Sequence, residues 1–163
     1  MKRMMMSIAI LFALMITFGQ TIEGNAAYDE ITSIQRIMLQ ASEEVVTAEN
    51  ELGMEIVHLE VDLLIRDNHK YVYRNLSAGW TYLIYAEGEV GMVNDFDLKV
   101  MKQDPITEKW MEVCSDTRPD FGAICVIKVE ETARYAINVS VGAYANNFTG
   151  CHYFILIGHA KPE

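Results

Sequence analysis

The chain has 163 residues, with 13 basic and 23 acidic side chains, three cysteines and ten methionines. That length suits one ordinary domain rather than a multidomain assembly, and a net charge of −10 argues against sequence-independent binding to nucleic acid, where Lys and Arg neutralise phosphates. A hydrophobic fraction of 51% with 22% charged residues excludes a disordered tail.

The first segment reads as an address. Lys2 and Arg3 precede an unbroken apolar run, Ile8 to Ile16, and Gly24-Asn25-Ala26-Ala27 supplies small residues for cleavage. This order predicts a secretory signal peptide over residues 1–27; the run is too short for the roughly 20 apolar residues that span a bilayer. Cleavage removes Lys2, Arg3 and Glu23, leaving a chain one charge more negative. Cys114, Cys125 and Cys151 would then face an oxidising periplasm or exterior, where disulfides persist.

Residues 28–53 are expected to form an amphipathic helix. Ile31, Ile34, Met38, Ala41, Val45, Ala48 and Leu52 recur in steps of three and four, Asp29 and Glu30 suit the first turn, and Gly53 terminates it. Its apolar stripe is expected to cover a sheet. The alternative, a short coiled coil that dimerises an otherwise monomeric protein, fits less well because Ile37 and Val46 broaden the stripe.

After Gly53 the period becomes two. Val57, Leu59, Val61, Leu63 and Ile65 alternate with His58, Glu60, Asp62 and Leu64, as in a half-buried strand. Strand-like runs follow at 71–74, 81–86, 97–101, 110–114, 123–129, 135–141 and 153–157, separated by turn residues such as Ser77-Ala78-Gly79 and Arg118-Pro119-Asp120. About eight short strands without a second helix predict an antiparallel β-sandwich over residues 54–163. Tyr82 and Tyr135 are expected in its core.

Four pieces of the stretch from Tyr71 to Gly158 carry a family resemblance: Leu76-Ser77-Ala78-Gly79-Trp80-Thr81-Tyr82, Asp95-Phe96-Asp97-Leu98-Lys99-Val100, Ala133-Arg134-Tyr135-Ala136-Ile137-Asn138-Val139, and Gly150-Cys151-His152-Tyr153-Phe154-Ile155-Leu156-Ile157. In content and order they resemble the bacterial pre-peptidase C-terminal (PPC) domain family. The resemblance implies a jelly-roll-like sandwich and an accessory role beside secreted peptidases, with calcium or an extracellular polymer bound in some members.

Three groups of residues are candidates for function. Glu87, Glu89, Asn94, Asp95 and Asp97 gather oxygen ligands around a glycine-bearing loop, the chemistry a Ca2+ ion needs, with Glu112 or Asp116 required to complete the shell. Cys114 and Cys125 flank the Arg118–Asp120 turn at similar distances, and a hairpin centred there would place them opposite each other for a disulfide. Pairings through Cys151 are the alternatives. Tyr71 and Tyr73 share one strand face, and Trp80, Tyr82 and Ile84 another; exposed, such rows would stack on sugars or a protein, but the inner face of a sandwich is the expected place for them. Cys151 beside His152 does not make a nucleophile and base, because neighbours on a strand point to opposite faces.

These features predict a secreted or periplasmic, non-catalytic binding or accessory module, its partner an extracytoplasmic protein or polymer and calcium its one candidate cofactor. The alternatives are a small secreted hydrolase using paired carboxylates, and a peptidase partner or inhibitor.

Overall fold

The structure is a computed structural model that describes residues 32–160. The signal peptide predicted over 1–27, and Ile31 of the helical stripe, lie outside them. The unit beginning at Ser33 opens with helix α1 (Ser33–Asn50), after which Gly53, at a φ of 62°, turns the chain into the first strand.

Eight strands follow: β1 (Glu55–Ile65), β2 (Lys70–Leu76), β3 (Thr81–Gly88), β4 (Val93–Gln103), β5 (Trp110–Asp116), β6 (Gly122–Lys128), β7 (Ala133–Tyr144) and β8 (Gly150–Ala160). They form two four-stranded antiparallel sheets, ordered β1-β8-β3-β6 and β2-β7-β4-β5. Only β4 and β5 are consecutive strands in one ladder; every other connection crosses between the sheets. This interleaving is the jelly roll, which buries one face of each sheet against the other.

The inner faces follow the alternation within each strand. Tyr82, Ile84 and Ala86 of β3 meet Phe96, Leu98 and Val100 of β4, with Tyr135, Ile137 and Val139 of β7 and Tyr153, Ile155 and Ile157 of β8 in the same cluster. Tyr82 and Tyr135 are core residues as expected, and the Tyr82 hydroxyl accepts from Ser77 N–H at 3.1 Å. Gly79, at a φ of 85°, makes the turn that brings Ser77 back to that ring.

Two expectations about orientation are corrected. In β1 the apolar set Val57, Leu59, Leu63 and Ile65 is exposed, while His58, Glu60, Asp62 and Leu64 point toward the other sheet. β1 is an edge strand, and its inward carboxylates and imidazole close the rim against β2: Lys70 Nζ donates to Asp62 at 2.6 Å, and Arg74 contacts His58 Nδ1 at 2.6 Å. In α1 the buried residues are Ile37, Gln40, Ala41 and Ala48, whereas Ile34 and Met38 remain exposed. The helix turns Gln40 inward because the sheet beneath it carries Glu87, and the amide of Gln40 donates to that carboxyl. α1 lies on the outer face of the β1-β8-β3-β6 sheet and packs against β8 and β1.

Candidate functional site

The five residues proposed as calcium ligands are not brought together. Glu87 is buried under α1, where Gln40 Nε2 and the Tyr85 hydroxyl donate to it. Glu89, also buried, accepts from Arg36 Nε at 2.8 Å and from Ser33 Oγ. Asn94 is exposed, and Asp95 and Asp97 stand on the outer face of the opposite sheet. Glu112 pairs with Lys99 Nζ at 3.1 Å, and Asp116 accepts from Arg118 and from Ile124 N–H. Among the described residues no group of three or more His, Cys, Asp or Glu side chains is placed to hold a metal ion. Glu87 and Glu89 are near Asp95 and Asp97 in sequence but apart in space because the β3–β4 connection crosses from one sheet to the other.

The cysteine pairing holds, with a different geometry. Cys114 and Cys125 form a disulfide, Cα to Cα 6.0 Å. They are not opposite residues of one hairpin: Cys114 is on β5, the edge of one sheet, and Cys125 on β6, the edge of the other. The Arg118–Asp120 turn is an arch between sheets, and the bond clasps the sandwich along one open side, as the Lys70–Asp62 ion pair and the Arg74–His58 hydrogen bond do along the other. Cys151 is a free, buried thiol; burial, with Glu89 nearby, pushes it up to about 12, so it stays protonated. His152 points the other way, toward Ser33 Oγ at 2.7 Å.

The most developed surface is the outer face of the β2-β7-β4-β5 sheet. Here the expectation that Tyr71 and Tyr73 line the core is overturned: they are 50% and 45% exposed, while Val72 and Leu76 of the same strand turn inward. Tyr73 is paired with Ala136 of β7, and Ala136 with Met101 of β4. On the far edge, Gln103 is paired with Trp110 of β5. Three strand spacings, about 14 Å, separate the backbones of β2 and β5. The short side chain of Ala136, itself only 1% exposed, lets larger neighbours close over it, and the Tyr73 and Trp110 rings come to 5.7 Å between centroids. Tyr71 stacks on Tyr73 at 6.3 Å with 14° between planes. The Arg134 guanidinium lies 4.8 Å from the Tyr73 ring centre and 6.0 Å from that of Trp110, at distances where a cation is attracted to an aromatic face.

The result is a platform of three rings and one guanidinium across the width of the sheet. At its other end, Asp95 and Asp97 reach above Gly142, where a Cβ would collide with the Asp95 carboxylate and meet Asp97 Oδ2 at 3.2 Å. Partial burial raises both carboxyls, and Asp97 is raised further by Asp95 and Asp116. Trp110 and Arg134 were not singled out from the sequence. The outward alternation Arg134, Ala136, Asn138 and Ser140 was readable, but only strand order puts these residues beside Tyr73.

The described residues thus form an eight-stranded jelly roll with a helix on one outer face and, among those residues, an uncovered aromatic platform on the other. No protein-family model and no curated protein sequence matches it. Among solved structures it is similar to PliG of Aeromonas hydrophila, a periplasmic inhibitor of g-type lysozyme, at 9% identity and a TM-score of 0.44, over 67% of this chain and 90% of that one. It is also similar to the Yersinia pseudotuberculosis-derived mitogen, at 8% identity and 0.47, over 64% and 85%. A third is the CBM22-1–GH10 module pair of Clostridium thermocellum endo-1,4-beta-D-xylanase 10B complexed with xylohexaose, at 12% identity and 0.36, over 68% of this chain and 26% of that one. These are similarities of fold.

Proposed function

We propose that the protein is an extracytoplasmic, non-catalytic module that binds a polysaccharide on the outer face of its β2-β7-β4-β5 sheet. The observation that carries this reading is the platform itself: Tyr71, Tyr73 and Trp110 are exposed, mutually packed and left uncovered by α1, which lies on the other sheet. Sugar rings present flat C–H faces that stack on aromatic rings, and preassembled rings lose little conformational entropy on binding. A disulfide is the mark of an oxidising compartment, and the leader read from residues 1–27 supplies the route. The resemblance to the PPC family agrees with an accessory role.

Retention on a panel of insoluble and soluble polysaccharides tests the reading. Y73A and W110A are each expected to weaken binding about tenfold, and together to abolish it, because each removes a stacking surface. The rings are exposed, so the variants should melt within a few degrees of the parent. Retention of neither parent nor variants on any polysaccharide would remove the proposal.

A carboxylate-dependent hydrolase is the second reading, favoured by the meeting of Asp95 and Asp97 with raised carboxyls on the same face. New reducing ends released from a bound polysaccharide, and lost in D97N, would establish it. Binding without release leaves the module non-catalytic.

A further inference from the structure

Arg134 differs from Lys99 on the same face, which is neutralised by Glu112 at 3.1 Å. Arg134 is exposed, and the contacts recorded for its guanidinium are the rings of Tyr73 and Trp110; among the described residues it pairs with no carboxylate. A guanidinium held over aromatic rings by its charge keeps N–H groups that can donate, and those donors match the two oxygens of a carboxylate. The platform therefore presents an immobilised, uncompensated cation among rings that stack on sugars.

Resting on the reading of this face as a polysaccharide site, we infer that its ligand is an acidic polysaccharide, a uronate polymer whose carboxylate is bound by Arg134 while the sugar ring lies on Tyr73 or Trp110. The protein's own charge sharpens this selectivity. At −10 overall, the molecule has no long-range attraction for polyanions, so a ligand gains nothing from negative charge alone. It must bring the carboxylate and the stacking ring to the same place. Asp95 and Asp97, at the other end of the face, disfavour a second anionic group there and so orient the chain, with its charged substituents toward β2 and β5.

Polygalacturonate and its fully methyl-esterified form share one backbone and differ in the charge that Arg134 would read. Titration calorimetry of the mature protein is expected to show the acid form bound about 10- to 100-fold more tightly, the range of a charge-assisted hydrogen-bonded pair. R134Q should erase that difference, the affinity for polygalacturonate falling to that for the ester measured on the same variant. Dextran sulfate, anionic but without a ring carboxylate, should not compete. Equal affinity for acid and ester, both unaffected by R134Q but lost in Y73A, would overturn the acidic-ligand inference and keep the platform. Competition by dextran sulfate would overturn it in favour of simple charge attraction. Binding of neutral polysaccharides alone, or of none, would overturn it as well, and only the latter would also remove the platform.

Discussion

Raising the pH from 5 to 8 is expected to destabilise the folded protein by several kcal/mol, and E87Q is expected to remove most of that loss. Glu87 lies completely buried between α1 and the sheet, and burial, opposed by hydrogen bonds from Tyr85 and Gln40 and reinforced by Glu44 and Asp120, pushes its carboxyl from 4.5 to about 8. Between those two values the folded protein holds a proton that the unfolded chain has released. Stability supplied by the neutral Glu87 is therefore whole below 4.5 and is lost as the pH rises through 8. At about 1.4 kcal/mol for each pH unit of that window, the full loss is on the order of 5 kcal/mol. Urea unfolding at several pH values measures it, and the difference between wild type and E87Q cancels contributions common to both. Those include His58, whose depressed folded value acts in the opposite sense. Parallel pH profiles for the two proteins would show that Glu87 does not carry the effect.

The second large effect concerns the clasp between the sheets. Cys114 and Cys125 are separated by 11 positions. Closing a loop of that size restricts the unfolded chain by about 3 kcal/mol, so C114S/C125S should lose that much, roughly 10 °C in melting temperature. Reduction of the wild-type protein should reproduce the loss and leave the double variant unchanged. Since β5 and β6 are the free edges of different sheets, hydrogen exchange in the variant should quicken first at 110–128. Unaltered denaturation midpoints would exclude a stabilising clasp.

Alternation made the strands legible because a period of two is a local property, and each of the eight runs contains residues of an observed strand. Alternation also groups residues by face, but it does not say which face turns inward. Alternation therefore puts Tyr71 with Tyr73, and Val57 with Leu59, but does not turn either pair outward. A one-residue choice inverts every side chain, and in β1 the choice is made by Lys70 and Arg74 on another sheet. The acidic cluster fails for a related reason: the chain between Glu89 and Asp95 passes from one sheet to the other, so nearness in sequence separates them in space. The cysteine pairing survived a mistaken hairpin because an arch and a hairpin both bring the flanks of a turn together. Trp110 and Arg134 meet Tyr73 only through strand order, which no short stretch of sequence contains.

Helix α1 and strand β8 belong to the same side of the sandwich, and they hold both ends of the described chain. Ser33 sits against His152 at the start of β8, and Ala160 closes that strand. The aromatic platform occupies the opposite side. Anything fastened to either end, whether a neighbouring domain, a surface support or a fluorescent label, would pull from behind and leave the rings facing outward. Immobilisation through either end of the described residues should therefore leave the platform accessible, and the same arrangement makes the sandwich a ready spacer that would hold whatever is fused there about one domain's thickness from anything bound on the opposite face.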